Sequence, residues 1–186
     1  MTLFKDKYRI ESTRLRDWDY ADFGWYFITI CVQDHVCSFG DVMDGEMCLS
    51  KAGHIVSEEL LRTERKRAGV HLDIWRIMPN HLHAIIIVDA FKKQKRRPLD
   101  FSKPIIPSEE LEPQSVLKPG SLGAVVNQFK GACTSRIRET WLPEFNWQAR
   151  FHDHVIRNEK SLNRIREYII NNPMEWEMDK YNPDML

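Results

Sequence analysis

The stretch His81-Leu82-His83 sets two imidazoles at positions i and i+2. In a strand both project from one face while Leu82 enters the other. Two imidazoles on a rigid strand can chelate a divalent metal and leave positions for a third ligand, water and a substrate oxygen. Structural histidines can produce the same spacing, and the pair alone leaves both readings open. A second pair, His152-Asp153-His154, has an acidic residue between its imidazoles. That residue suits a half-buried strand poorly, so the segment reads as a loop before a helix. Its histidines read first as a polar network that braces a site or binds phosphate, and only second as metal ligands. Tyr168 lies four residues before Asn172, one helical turn away on the same face, so a phenol and an amide oxygen can reach one centre. The competing reading is a tyrosine that covers the core beside a helix-terminal asparagine.

The elements that must position these groups can be read from hydrophobic periodicity. Residues 25–32, Trp-Tyr-Phe-Ile-Thr-Ile-Cys-Val, are aromatic and β-branched and predict a strand. Asp44-Gly45, between the short apolar stretches of 39–49, predicts a hairpin turn. Residues 50–67 predict a helix with Ile55, Leu60 and Leu61 on one side. Strands are expected over 72–78 and 81–88, separated by the turn dipeptide Pro79-Asn80. Residues 121–140 predict a helix buried through Leu122, Val125, Val126, Phe129 and Ile137. A final helix is expected over 158–172, with Asn158 as N-cap and Leu162, Ile165 and Ile169 as the buried stripe. Pro173 disfavours continuation beyond Asn172. Between about 89 and 119 the chain is Pro-rich and charged, the composition of an irregular linker.

At 186 residues, with 42% hydrophobic and 29% charged side chains, the chain suits one folded domain over 1–186. No run approaches the ~20 apolar residues of a membrane span, and the charged start lacks an apolar signal core, so a cytoplasmic location is expected. Cys31, Cys37, Cys48 and Cys133 form no Cys-x-x-Cys pair and are expected as packing thiols rather than a zinc knuckle or disulfide framework. Formal net charge is zero, so total charge demands no nucleic-acid partner. The distribution is more informative: Lys5, Lys7, Arg9, Arg14 and Arg16 crowd the start. Lys92, Lys93, Lys95, Arg96 and Arg97 form a second cluster of the kind that contacts phosphates or, equally, makes a solvated run.

Read together in order, three segments carry a family likeness. They are Trp75-Arg-Ile-Met-Pro-Asn-His81-Leu-His83, Trp147-Gln-Ala-Arg-Phe-His-Asp-His154-Val-Ile-Arg-Asn158, and Glu167-Tyr168-Ile-Ile-Asn-Asn172-Pro173. The chain, from about Tyr20 to Trp176, resembles the REP-associated tyrosine transposases, which belong to the single-tyrosine HUH transposases.

The resemblance implies an α+β, ferredoxin-like (RRM-like) antiparallel sheet with helices packed on it, forming an HUH endonuclease core. It implies a metal-dependent single-strand endonuclease and strand transferase that forms a 5′-phosphotyrosine intermediate at hairpin-containing DNA. Carried over by position, Tyr168 is the nucleophile, and His81, His83 and Asn172 hold Mg²⁺ or Mn²⁺. Expected contacts to single-stranded or hairpin DNA are Lys92, Lys93, Lys95, Arg96, Arg97, Lys130, Trp147, Arg150, His152, His154 and Arg157, with Trp147 and Phe151 available for stacking. A monomer or homodimer near the nucleoid would serve. The alternative within the same fold is a catalytically inactive regulator that binds hairpin DNA. A further one is an unrelated metal- or RNA-binding ferredoxin-like module in which Tyr168 is structural.

Overall fold

The computed structural model describes residues 18–89 and 118–185. The first strand, β1 (Gly24–Cys31), leads through a hairpin, β2 (Gly40–Met43) and β3 (Glu46–Leu49), into helix α1 (Lys51–Lys66). Strands β4 (Val70–Met78) and β5 (His81–Val88) follow, then helix α2 (Leu122–Thr140), strand β6 (His152–Ile156) and helix α3 (Glu159–Asn171). The main sheet has the order β4-β5-β1-β6, and every neighbouring pair is antiparallel. Set aside the β2-β3 hairpin and α3, and what remains is the βαββαβ ferredoxin-like topology anticipated from sequence.

Local chemistry explains the boundaries. Ser50, Ser121 and Asn158 each accept a backbone N–H three residues on, capping the first turns of α1, α2 and α3. Asp44 and Gly45 both adopt positive φ, the geometry of the tight turn that joins β2 to β3. The Pro79-Asn80 turn places β4 and β5 in register, with Met78 opposite His81.

Alternation along β1 and β5 divides the side chains between two faces. Tyr26, Ile28, Ile30, Leu82, Ala84 and Ile86 enter a large core with Val56 and Leu60 of α1 and Val125, Phe129 and Ile137 of α2. Each fully buried aliphatic side chain of this kind contributes ~1.5–3 kcal/mol. On the opposite face, Ile85 and Ile156 meet Leu162, Ile165 and Ile169 of α3, with Trp25, Phe27, Ile74 and Tyr168 partly buried around them. A register irregularity between Leu72 and Trp75 frees Asp73 from the regular alternation. Its carboxylate accepts two hydrogen bonds from Arg166, at 2.7 Å from Nε and 2.6 Å from Nη2, tying α3 to the edge strand.

Several expectations need correction. Residues 152–156 form an edge strand, not a loop: Asp153 is buried on the α1/α2 side while His152 and His154 alternate to the other. Leu61 is exposed, because the buried stripe of α1 runs through Ala52, Ile55, Val56, Glu59 and Leu60. Glu59 is held inside by ion pairs to Arg62 and Arg136. Of the four cysteines, Cys31 and Cys133 are buried packing thiols, whereas Cys37 and Cys48 are exposed; all are free. Among the described residues no helix is long and apolar enough to cross a membrane.

Candidate active site

β5 carries His81 and His83 on the α3 face, and β1 carries Thr29 and Phe27 beside them; Thr29 lies opposite His83 on one side and opposite His152 of β6 on the other. The two imidazoles converge, with Nε2 atoms 3.0 Å apart. Thr29 Oγ1 lies 2.9 Å from His83 Nδ1, and Asn80 Oδ1 lies 2.9 Å from His81 Nδ1. Tyr168 projects from α3 so that its hydroxyl is 3.1 Å from His83 Nε2. Phe27 meets the tyrosine ring nearly edge to face, at 87° and 6.1 Å, which fixes the ring's approach.

The chain beyond α3 folds back to close the site. Pro173 follows Asn172, and short 3-10 turns at Trp176–Met178 and Pro183–Met185 bring Asp179 and Tyr181 over β5. The Tyr181 ring lies 4.7 Å from that of His81, and the Asn80 amide donates to the Tyr181 carbonyl at 2.7 Å. Asp179 accepts a hydrogen bond from Asn172 Nδ2 at 2.8 Å and another from the Tyr181 backbone N–H at 2.7 Å. Potential ligand atoms of His81, His83 and Asp179 all lie within 4.8 Å of one another.

Both imidazoles are enclosed. His81 is 0% and His83 1% exposed. Burial holds His81 down to about 4, aided by neighbouring cationic groups and opposed by Asp179 and Asn172. Burial, then the positive charge a protonated His81 would carry, holds His83 well below the ordinary imidazole range. Both rings are therefore neutral near pH 7, the form that binds metal. Burial, followed by the Asp179, Tyr181 and Glu175 charges, raises Tyr168 above the ordinary phenol range. The residues fit a divalent cation: two neutral imidazoles converge beside a carboxylate, and the amide oxygen of Asn172 is buried without a hydrogen-bond partner next to His81.

A cleft of about 600 Å³ opens onto this centre; Phe27, Thr29, His83, His152, Tyr168, Asn172, Glu175, Met178, Asp179 and Lys180 line it. In the sequence, no signal marks the residues that close the site from beyond α3. Asp179, Lys180 and Tyr181 follow the last periodic helix, and no spacing rule connects them to the histidines.

Other expected contacts sort differently. His152 lines the cleft; His154, Arg150 and Arg157 are exposed. Trp147 is not a free stacking surface: it packs among Phe39, Phe129 and Phe145, and its indole N–H donates to the Lys130 carbonyl. Lys130 is likewise occupied, its ammonium donating to the Gln148 and Arg150 carbonyls at 2.7 and 2.9 Å. Phe151 packs against the large core. The Lys92–Arg97 cluster and the basic residues before Asp17 lie outside the described residues.

No family model matches the chain. An uncharacterized protein of Haemophilus influenzae is 34% identical over 174 residues, covering 93% of this chain and 93% of its own length. Among solved structures, a REP-associated tyrosine transposase bound to a REP hairpin aligns with a TM-score of 0.59 and 17% identity, over 92% of this chain and 77% of that one. A candidate transposase from Deinococcus radiodurans aligns at 0.41 and 14% identity, over 88% of this chain and 97% of that one, too loosely to carry an argument. The chain thus belongs to one family with the Haemophilus influenzae protein and has the fold of a REP-associated tyrosine transposase.

Proposed function

We propose that the chain is a single-tyrosine HUH transposase of the REP-associated group, a metal-dependent enzyme that nicks and rejoins single-stranded DNA at hairpins with Tyr168 as nucleophile. The observation that carries this reading is the Tyr168 hydroxyl, 3.1 Å from His83 Nε2 at a centre shared with His81 and Asp179. A solved transposase of this fold holds a REP hairpin, and that substrate class is carried here as part of the proposal. In this reading residues 1–186 form one domain interrupted by the linker at about 89–119.

His81, His83 and Asp179 would hold Mg²⁺ or Mn²⁺, with Asn172 Oδ1 available as a further donor; when bound, the ion supplies Lewis-acid polarisation of the scissile phosphate and lowers the cost of a phenolate at Tyr168. Asn172 has a second task, because its amide nitrogen holds the Asp179 carboxylate in place. A phenol raised by burial is a weak nucleophile at neutral pH, so Tyr168 depends on the positive charge of the loaded site. Packing of α3 on Phe27, Ile85 and Ile156 fixes the direction of attack. Lys180 lines the cleft, and its ammonium is suited to a phosphate oxygen.

In the reaction the Tyr168 oxygen forms a bond to phosphorus and loses its proton. The P–O3′ bond breaks, and the departing 3′-oxygen takes up a proton. A later 3′-hydroxyl reverses the exchange and frees Tyr168, so joining needs no external energy source. Incubation of the full chain with a labelled single-stranded hairpin substrate and Mn²⁺ should yield one nicked strand with a free 3′-hydroxyl, and chelation should stop it. Hairpin binding with no nicking under any divalent metal would favour the inactive regulator instead.

A further inference from the structure

Asn80 stands behind the site, fully buried in the turn between β4 and β5. Its side-chain nitrogen donates both hydrogens to backbone carbonyls, of His35 at 3.0 Å and of Tyr181 at 2.7 Å. Carbonyl oxygens cannot donate, so the amide cannot be turned round without setting oxygen against two oxygens. Its Oδ1 must therefore face His81 Nδ1, 2.9 Å away, and an oxygen there requires a proton on that nitrogen. A neutral imidazole has one N–H, which leaves His81 Nε2 bare.

We propose that Asn80 sets the tautomer of His81, so that the metal-free histidines stand in opposite tautomers and only His83 moves a proton when the ion is loaded. This rests on the metal reading above. The Nε2 atoms of the two rings are 3.0 Å apart, a contact that is attractive only if one of them carries hydrogen. With His81 Nε2 bare, that hydrogen is on His83 Nε2, and His83 Nδ1 accepts from the Thr29 hydroxyl at 2.9 Å.

Ligation needs both Nε2 atoms bare. His83 must then lose its Nε2–H and gain an Nδ1–H, one N–H broken and one formed with the ring still neutral. A hydroxyl can follow this change by rotating from donor to acceptor, and the Ile28 carbonyl beside the ring is a second acceptor. Asn80, held at both hydrogens, has no such freedom. The pair thus contains one preset ligand and one switchable ligand, and Asn80 is a positioning residue for the first.

The test is two-bond ¹H–¹⁵N correlation of the imidazoles in the full, metal-free chain at pH 7.5, repeated with Mg²⁺. Wild type should show His81 protonated on Nδ1 and His83 on Nε2, with His83 changing to Nδ1–H on addition of Mg²⁺. Asn80→Ala should release the His81 tautomer and weaken Mn²⁺ binding, measured calorimetrically, by ~10–100-fold, the usual effect of removing such a partner. Wild-type His81 protonated on Nε2 would overturn the proposal, as would an Nδ1–H form that persists in Asn80→Ala. Unchanged Mn²⁺ affinity in His81→Ala would instead contradict the metal reading on which the proposal rests.

Discussion

Two histidine pairs with the same spacing lie on the same face of one sheet, two strands apart. His81 and His83 are on the interior strand β5, sealed by α3 and the chain beyond it; His152 and His154 are exposed on the edge strand β6. Spacing gives both pairs a common face, but burial and neighbours give them different chemistry. The inner rings converge Nε2 to Nε2, each with an oxygen partner at Nδ1, beside a carboxylate and a tyrosine. Each pair contributes one member to the wall of the cleft, His83 and His152. The same His-x-His spacing thus brings its imidazoles together beside a carboxylate only where the fold encloses it.

Alanine substitutions should separate the two pairs most strongly. His81→Ala or His83→Ala should abolish metal-dependent nicking and Mn²⁺ binding. Either should also lower stability, because each leaves a cavity, and His81→Ala strands Asn80 Oδ1, a loss of ~1–3 kcal/mol for the unpaired group alone. His152→Ala should remove at most a phosphate contact of ~1 kcal/mol, a few-fold in DNA affinity, with Mn²⁺ binding intact. Loss of metal binding on truncation of the outer pair would reverse the assignment.

A second contrast is in pH dependence. The folded-state value of His81 is about 4, below the ~6.5 of an unfolded chain, so between these values the unfolded state takes up a proton that the folded state refuses. Stability is therefore full above about 6.5 and falls as pH drops toward 4. His83 acts in the same direction. Thermal unfolding of the metal-free chain should show a midpoint that declines from pH 7 to pH 5. The decline should persist in the His152→Ala, His154→Ala double variant, and a flat profile in wild type would contradict neutral buried imidazoles.

Most of the fold was legible because its elements carry strong local signals. Apolar runs define β1 and β5, the Asp44-Gly45 turn joins β2 to β3, and Ser50, Ser121 and Asn158 mark helix starts. β6 escaped because Asp153 occupies an inward position where alternation predicts an apolar residue. In the site, His81, His83 and Tyr168 were legible from spacing and family likeness. Asp179 was not, since it comes into place by tertiary folding of a segment with no periodicity, anchored by Asn172 and the Tyr181 backbone. Trp147 was misread for the converse reason: an aromatic in a polar stretch resembles a stacking surface until its neighbours Phe39, Phe129 and Phe145 are known.

Trapping the covalent adduct tests whether the hydroxyl of Tyr168 attacks phosphorus. Labelled single-stranded hairpin DNA incubated with the full chain and Mn²⁺ should give, on denaturing electrophoresis, a protein-linked 5′ end that peptide mapping assigns to Tyr168. Tyr168→Phe keeps the ring against Phe27 and should still fold, bind Mn²⁺ and bind the hairpin, yet form no adduct. An adduct that survives in Tyr168→Phe, or one mapped to Tyr20, Tyr26 or Tyr181, would contradict the account.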